Sequence, residues 1–311
     1  MKSTPYEFDS PASEWAEDVA KHTLDDLFNA TFAYRDSKEF YELVKFVKRF
    51  RFYSPYNALL IHIQRPGARF VAPANRWFRK YGRRVNPSAN PLVILQPMGP
   101  VMFVFDVSDT EPGPDARPLP ASVENPFGVR GGSIGSELKK TIENAKRDGI
   151  RIHSQQVGSQ RAGSIQLVRE TDLPPLLFQT GKDRKGNPLY ERVPIRYELL
   201  FSSKLSREAQ YATLVHELAH LYCGHLGTPN KKWWPDRRGL LHDAVEFEAE
   251  SVSYLVCGRL GIDTRADEYL SGYVKTNDRV PPLSLECVMK AAGLIENMGK
   301  ERLKPRKKTG D

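Results

Sequence analysis

The chain has 311 residues, of which 40% are hydrophobic, and a formal net charge of +8. Its mean hydropathy is -0.51 and its isoelectric point is near 9.3, values typical of a soluble protein that can bury a core. This length accommodates two ordinary domains. No stretch approaches the roughly 18 uninterrupted apolar residues of a transmembrane helix, and the first residues lack the apolar run of a signal peptide. Three widely separated cysteines fit a reducing compartment. We therefore expect a cytoplasmic protein without a membrane partner.

Residues 7–65 have the periodicity of helices. The helical segments are SPASEWAEDVAKHTLDDLFNA, SKEFYELVKFVKRF and SPYNALLIHIQ. The following segments, RFVAPANRWFRKYGRRV and NPLVILQPMGPVMFVFDVSDT, alternate between turn signals and β-rich runs, which predicts a small sheet. Five prolines and several glycines between Thr110 and Gly132 indicate a linker or a long loop.

The second half of the chain mixes predicted helices and strands. SELKKTIENAKRDG and LSLECVMKAAGLIENM are predicted helices, and IRIHSQQ, SIQLVRE and RYELLFSS are predicted strands. The basic segment from Lys300 to Lys308 is predicted to be a disordered tail that adds non-specific affinity for nucleic acid. The expected division is a first domain at 7–110, a linker at 111–133, a second domain at 134–298 and a tail at 299–311.

The positive charge is concentrated in one stretch. Between Lys45 and Val85 there are eleven lysines and arginines and no acidic residue, with nine aromatic residues interleaved. Basic side chains neutralise phosphates and aromatic faces stack on unpaired bases, a combination used on single-stranded nucleic acid. The alternative is a basic surface whose aromatic residues belong to the core. A protein that mimics DNA is excluded, because such a mimic would be strongly acidic.

The pentapeptide HELAH at residues 216–220 is the most specific chemical signal. On a helix, His216 and His220 lie on one face, and Glu217 lies beside that face. Catalytic zinc takes three protein ligands and a water molecule, and a neighbouring carboxylate completes the groups needed to hydrolyse a peptide bond. The alternative is an exposed helix with two solvated histidines, but the apolar neighbours of the motif indicate burial. Ser206 is a predicted N-cap, and Gly224 is predicted to end the helix.

The third ligand is predicted in the next helix, at roughly 243–257. Glu246 and Glu250 share a face of that helix, whereas Glu248 is turned by about 200° and points away. We assign Glu246 to the metal and Glu250 to the other ring nitrogen of a ligating histidine. The reverse assignment, with Glu250 as the metal ligand, stays open. A second alternative is that these acids form a charged stripe on a surface helix and bind no metal. Apolar neighbours such as Val245 and Val252 argue against that stripe.

Four further residues near the motif are interpreted as structural. His225 and His242 flank it and read as loop or cap histidines rather than ligands. Cys223 and Cys257 lack a CxxC spacing and read as buried free thiols. A metzincin would need glycine at position 223 and histidine at position 226, so Cys223 and Leu226 exclude that class.

Two parts of the chain resemble known families. Residues 15–107, including SPYN, QRPGA and FDVSDT, resemble the N-terminal single-stranded-DNA-binding domain of ArdC-type antirestriction proteins. Residues 196–261 resemble the zincin-like metallopeptidase half of those proteins and also the ImmA/IrrE metallopeptidases. The resemblance implies an α+β fold with a helical, small-sheet DNA-binding domain followed by a minimal zincin. The segment 128–194 and the pair Trp233-Trp234, expected to be exposed, match nothing in these families.

Site residues follow from the resemblance. It implies zinc as the cofactor, His216, His220 and Glu246 as its ligands, Glu217 as the general base, and Glu250 as a carboxylate behind a ligand. It implies single-stranded DNA as a partner of the basic region. The predicted DNA-binding residues there are Arg65, Arg69, Arg76, Trp77, Arg79, Lys80, Arg83 and Arg84.

Two functions remain open at this point. The first is a zinc peptidase whose DNA-binding half localises or activates it on a protein substrate. The second is a DNA-binding protective protein of a mobile element whose metal domain is not catalytic. For the first function, the segment 196–203 is predicted to be an edge strand to which the substrate adds as an antiparallel strand. Leu200→Pro would test that pairing.

Overall fold

The structure is a computed structural model that describes residues 34–96, 99–119, 133–155, 163–169, 173–304 and 306. It is a mixed α+β fold, as predicted. The chain divides into two compact units, the first formed by Met1–Tyr34 and Asn57–Gly128 and the second by Arg35–Tyr56 and Val129–Asp311. The predicted helix at 10–30 lies outside the described residues. None of the described helices is both long and apolar enough to cross a membrane.

The described elements fall into helices and strands as follows. The helices are α1 (Ser37–Arg49), α2 (Pro55–Gln64), α3 (Ala74–Tyr81), α4 (Glu137–Ala145), α5 (Arg207–Tyr222), α6 (His242–Leu260), α7 (Arg265–Thr276) and α8 (Leu285–Lys300). The strands are β1 (Val71–Ala72), β2 (Arg83–Val85), β3 (Leu92–Gln96), β4 (Gly99–Asp106), β5 (Thr110–Pro112), β6 (Ile150–Gln155), β7 (Gly163–Leu167), β8 (Leu176–Lys182), β9 (Pro188–Val193) and β10 (Tyr197–Ser202).

The first unit contains the predicted small sheet. Its strands are antiparallel in the order β1-β4-β3, and β2 pairs separately with β5. The start of the predicted linker is therefore strand rather than loop, while residues 120–132 of that linker lie outside the described residues.

A helix interrupts the region that the sequence predicted to be sheet. Pro73 precedes α3, and Gly82 ends it with a φ of 62°, a conformation that glycine adopts without strain. Trp77 and Tyr81, one turn apart, are both buried and pack edge-on against Phe70 with ring centroids 5.4 and 5.6 Å away. Burial of these two rings in one core explains why the segment is helical.

Two side-chain amides of α2 bind the outer edge of β3. Gln64 accepts from the Val93 N–H and donates to the Val93 carbonyl, both at 2.8 Å. Asn57 makes the same pair of bonds with Leu95, both at 3.0 Å. Each amide therefore replaces one residue of a neighbouring strand, which satisfies backbone groups that an edge strand leaves unpaired.

A buried carboxylate organises the FDVSDT segment of the same unit. Asp106 accepts hydrogen bonds from the backbone N–H groups of Arg69, Phe70 and Ser108 at 2.9 to 3.1 Å. Burial alone would raise the pKa of Asp106, but these bonds and the Ser108 hydroxyl lower it. The segment therefore holds β4 to the chain around Phe70.

The second unit is built on a three-stranded sheet whose order is β6-β10-β7. Strand β10 pairs in parallel with β6 and antiparallel with β7. The prediction that residues 196–203 form an edge strand is therefore wrong, because hydrogen-bond partners occupy both sides of β10. Helix α5 packs on this sheet, and α6 and α8 pack on α5. A second, separate pair is the hairpin β8–β9, which lies in the segment without a recognised likeness.

Residues 35–56 belong to the second unit rather than to the predicted first domain. Arg259, near the end of α6, is buried and donates to the carbonyls of Val47, Phe50 and Tyr53 at 2.6 to 2.9 Å. It also pairs with Glu296. These bonds satisfy a buried guanidinium and attach α1 and the turn after it to α6.

Two further predictions about the second unit are corrected. Trp234 is buried and donates its indole N–H to the Gly227 carbonyl at 2.9 Å, so the Trp233-Trp234 pair is not an exposed pair. In the described part of the basic tail, Arg302 donates to the Gln179 carbonyl, and Arg306 donates to the buried Asp148, both at 2.6 Å. These residues are held by specific bonds and do not form a free tail; residues 305 and 307–311 lie outside the described residues.

Candidate metal centre and basic surface

Two helices of the second unit present the predicted ligands. Helix α5 begins with Ser206 as its cap, whose hydroxyl accepts from the Ala209 N–H at 3.2 Å, and Gly224 follows its end with a φ of 85°. Both helix limits match the prediction. Helix α6 runs longer than predicted, and its first turns face the HELAH segment of α5. His216, His220 and Glu246 thereby offer three ligand atoms within 4.8 Å of one another; we call them the metal group.

The separations inside the metal group suit a tetrahedral ion. The Nε2 atoms of His216 and His220 are 3.2 Å apart. The Glu246 carboxylate lies 3.5 Å from the first and 3.7 Å from the second. Ligands placed about 2.0–2.1 Å from a tetrahedral zinc lie about 3.3 Å from one another. The residues present therefore fit a metal ion of this size.

Two of the three residues in the metal group, His220 and Glu246, take the charge state in which they can bind a metal. Burial lowers the pKa of His220 to about 4, and the neighbouring His216 acts in the same direction, so the His220 imidazole is neutral at pH 7 and its ring nitrogen has a free electron pair. Contact with His216 lowers the pKa of Glu246 despite its partial burial. Neutral imidazole and ionised carboxylate are the forms that bind metal.

Glu250 lies on the side of His216 away from Glu246. One of its carboxylate oxygens lies 3.4 Å from Nδ1 of His216, the ring nitrogen that faces away from Glu246. Burial raises the pKa of Glu250, and the nearby Glu246 raises it further. His242 is exposed, and its Nδ1 lies 3.9 Å from Glu246. Glu250 therefore contacts the metal group from its more buried side, and His242 lies at its solvent-exposed side.

Glu217 lies between the metal group and strand β7. Burial raises the pKa of Glu217 to about 7, although the nearby His216 and, more weakly, a hydrogen bond from the Ile165 N–H oppose that rise. A Cβ atom at Gly163 would lie 2.4 Å from Thr213 and 3.3 Å from the Glu217 carboxylate, so glycine allows β7 to approach α5 this closely. The Val168 N–H donates to the Arg196 carbonyl across the β7–β10 pair at 2.9 Å. Because N–H directions alternate along a strand, the Ile165 N–H faces away from β10.

A second group of possible ligand atoms lies behind the first. Cys223, His225 and Glu248 also have their ligand atoms within 4.8 Å of one another; we call them the arginine-paired group. Arg237 donates to both oxygens of Glu248, each at 2.6 Å. Burial raises the pKa of the Cys223 thiol well above its ordinary value, so this thiol is a poor ligand. The guanidinium therefore occupies the position that a cation would take.

Sequence reasoning missed the roles of Glu248 and His225 in this network. Glu248 does point away from the metal group, as predicted, but into a buried set of donors rather than into solvent. His225 Nε2 lies 2.9 Å from Glu248, and His225 Nδ1 lies 3.1 Å from Nδ1 of His220. The third histidine in HELAHLYCGH, five residues after His220, was the available signal.

The predicted DNA-binding residues of the first unit separate into two classes. Arg65 pairs with Asp109, and Arg83 donates to the side chain and carbonyl of Thr110 at 2.7 and 2.8 Å. Trp77 is fully buried, so its ring offers no face to a base, and this part of the prediction is wrong. The predicted cations whose side chains are exposed are Arg69, Arg76, Arg79, Lys80 and Arg84.

An aromatic residue that was not among the predicted site residues lies beside those cations. The Phe78 side chain is 61% exposed and follows the buried Trp77 directly in α3. Arg79 and Lys80 follow it on the exposed side of the same helix. Because adjacent helix residues are about 100° apart, burial of Trp77 turns Phe78 outward. Helix α3 therefore presents an aromatic ring among basic side chains.

One solved structure is similar to this chain. No family model and no curated protein matches the chain. Among solved structures, a crystal structure of the antirestriction ArdC protein from the R388 plasmid, in its Mn(II)-bound form, is similar at 13% sequence identity. The alignment covers 83% of this chain and 93% of that chain, with a TM-score of 0.33. A score of this size does not establish a shared fold.

Proposed function

We propose that the protein is a zinc-dependent peptidase linked to a unit that binds single-stranded DNA. The convergence of His216, His220 and Glu246, with Glu217 beside them, carries the proposal. A structural zinc site would be closed by a fourth protein ligand, whereas a catalytic site keeps a position for water. The described residues supply three ligands and one buried carboxylate that is not among the three. That composition favours catalysis over a purely structural site.

Each residue of the site has a separate task. When bound, zinc lowers the pKa of a water molecule and polarises the carbonyl that is attacked. The Glu217 carboxylate takes a proton from the attacking water and returns it to the leaving amine, which its position beside the ligands allows. Glu250 holds His216 by the ring nitrogen that faces away from the metal group.

The substrate is proposed to be an extended polypeptide that pairs with the open side of β7. In the described part of the sheet, β7 pairs only with β10. The Ile165 N–H faces away from β10, and Leu167, two residues on, faces the same way because strand residues alternate. A polypeptide aligned there as an added strand would pass beside Glu217.

Glu217→Gln in the full-length protein tests the catalytic proposal. The amide is expected to leave zinc in place and to reduce cleavage of denatured casein by about 100-fold or more, because it cannot accept the proton. Glu208→Gln makes the same chemical change in the first turn of α5 and is expected to cleave at the wild-type rate. Equal rates in the two variants would contradict the assignment of Glu217. A zinc-loaded wild-type protein that cleaves nothing, with or without DNA, would favour the protective, non-catalytic function.

Leu167→Pro tests the strand pairing. Proline removes one outward N–H of β7, so KM for casein is expected to rise while zinc content stays constant. Leu167→Ala shortens the same exposed side chain but keeps the N–H, and it is expected to keep KM nearer to the wild-type value. If the two variants have the same KM, the substrate does not use this backbone.

The DNA-binding proposal is carried by α3 of the first unit. Its exposed Arg76, Arg79 and Lys80 supply phosphate contacts, and Phe78 supplies a ring on which an unpaired base can stack. Stacking on Phe78 requires an unpaired base, which favours single strands over a duplex. This assigns to Phe78 the role that the sequence had assigned to Trp77.

Salt titration of oligonucleotide affinity tests this surface. Reversing Arg76 and Arg79 to Glu is expected to weaken binding and to flatten the dependence of log K on log salt by about 0.7 per lost contact. Reversing Arg184 and Lys185, in the turn between β8 and β9, changes net charge equally and is expected to preserve the slope. Phe78→Ala should weaken single-strand binding by about 1–3 kcal/mol. Equal losses in both double variants would mean that charge alone, and not this helix, binds DNA.

A further inference from the structure

The ring nitrogens of His220 have different neighbours. Nε2 faces His216 and Glu246 within the metal group. Nδ1 faces the opposite way and lies 3.1 Å from Nδ1 of His225. His225 lies in the turn after α5, where the His225 N–H donates to the His220 carbonyl at 3.0 Å. The two imidazoles are therefore held together by backbone as well as by side chain.

The positions of the protons along this contact follow from hydrogen-bond chemistry. A neutral imidazole has one N–H and one accepting nitrogen. If His220 ligates through Nε2, its proton is on Nδ1 and is donated to His225. His225 then accepts at Nδ1 and keeps its own proton on Nε2. That proton points at Glu248, whose carboxylate oxygen lies 2.9 Å away.

Glu248 is fixed by donors from three directions. Besides His225, it accepts from both terminal nitrogens of Arg237 at 2.6 Å and from the Ser284 N–H at 2.7 Å. The carboxylate is fully buried. A bidentate guanidinium fixes the carboxylate plane as well as its charge. Glu248 therefore gives His225 an immobile acceptor.

We infer that Glu248 and His225 form a hydrogen-bond relay that orients His220 toward the metal, and that Arg237 fixes the relay at its far end. This inference rests on the proposed function, because it needs a metal bound by His220. It makes His225, Glu248 and Arg237 positioning residues, since none of them belongs to the metal group. A carboxylate that orients a ligating histidine is a common arrangement; here a second histidine lies between the two.

Metal titration of the full-length protein tests the relay. His225→Leu is expected to weaken Zn²⁺ and Co²⁺ binding by about 10- to 100-fold and to shift the visible absorption bands of the Co²⁺ protein, because His220 can then rotate. His242→Leu removes an exposed histidine that also lies near Glu246, and it is expected to leave affinity and spectrum unchanged. A His225→Leu variant with wild-type affinity and spectrum would overturn the relay and leave the metal site intact.

A second measurement does not depend on the folding of any variant. In the zinc-loaded wild-type protein, nitrogen-15 NMR of the imidazoles should show the proton of His220 on Nδ1 and the proton of His225 on Nε2. A His225 proton on Nδ1 would overturn the relay, because that nitrogen could not accept from His220. A wild-type protein that binds neither metal would overturn the proposed function and the relay together.

Discussion

The metal group and the arginine-paired group are built from the same two helices and the turn after α5, yet they differ in what balances the acid. Within the described residues, Glu246 and Glu250 have only histidines within ion-pair distance. Glu248, two positions from each, is bound by Arg237. In the arginine-paired group, the guanidinium neutralises the carboxylate, so no negative charge remains to attract a metal ion. In the metal group, the negative charge of Glu246 is available to a metal ion.

The difference shows why similar clusters in one protein need not have similar functions. Both groups place three potential ligand atoms within 4.8 Å of one another, so proximity does not distinguish them. The two groups are distinguished by whether an arginine pairs with the carboxylate, because a buried carboxylate requires a compensating positive charge. Arg237 supplies that charge from within the chain to one group, and a metal would supply it to the other.

Removing a ligand from the metal group is expected to have the largest effect. Wild-type protein should hold about one zinc per chain, and Glu246→Ala should lose it because two histidines alone bind weakly. Plasma emission analysis of the purified proteins measures this. Cys223→Ser changes the arginine-paired group and should keep the full zinc content. Full retention in Glu246→Ala would transfer the ligand role to Glu250 or Asp243, and loss in Cys223→Ser would show that the Cys223 thiol also holds the metal.

Removing the internal cation is expected to be the next largest effect. Arg237→Leu leaves the Glu248 carboxylate buried without its bidentate partner, which should cost about 3–5 kcal/mol in the free energy of unfolding. Urea denaturation measures the loss. Arg238→Leu removes the neighbouring arginine, which pairs with Asp236 at the surface, and should leave the denaturation midpoint nearly unchanged. Similar midpoints for the two variants would mean that the Glu248 pair does not balance a buried charge.

Removal of the metal by a chelator is expected to have a smaller effect on stability. This effect should depend on the metal group and not on Cys223 of the arginine-paired group. Metal at a hundred times its Kd stabilises the folded state by about 2.7 kcal/mol. Removing zinc with a chelator should therefore lower the Tm by about 5–10 °C. Glu246→Ala should show no such shift, and Cys223→Ser should show the wild-type shift. A chelator shift that persists in Glu246→Ala would place the stabilising metal elsewhere.

Sequence reasoning succeeded where one element contains the whole pattern. His216, Glu217 and His220 lie within one helix, so their spacing fixes their relative directions. The same holds for Glu246 and Glu250, four residues apart on α6. The limits of α5 were also predictable, because Ser206 caps its start and Gly224 follows its end with a positive φ.

The position of a strand within its sheet could not be predicted. Tyr197, Leu199 and Phe201 of β10 alternate inward and are buried, as they would be in an edge strand or in a central one. The partners that decide the question, β6 and β7, lie earlier in the chain, and their pairing depends on the completed sheet. Alternation reports which side chains are buried, but it does not report what binds the backbone.

The choice between neighbouring aromatic residues also depends on tertiary packing. Trp77 and Phe78 are both aromatic residues of the basic stretch. The prediction assigned Trp77 to DNA, but Phe70 and Tyr81 pack against Trp77 and bury it. The relay was missed for a similar reason. His225 and Glu248 are 23 residues apart. They come together only because the loop that contains Arg237 brings α6 back against the end of α5.

The amides on α2 cover part of a strand edge in the first unit. An uncovered strand edge can pair with another chain, which is how many β-rich proteins aggregate during synthesis. Asn57 and Gln64 occupy the hydrogen-bonding groups of Val93 and Leu95 on the outer edge of β3, so a foreign strand finds no free partner at those two residues. The SPYN and QRPGA segments, which contain these amides, thus shield that part of the edge from pairing with another chain.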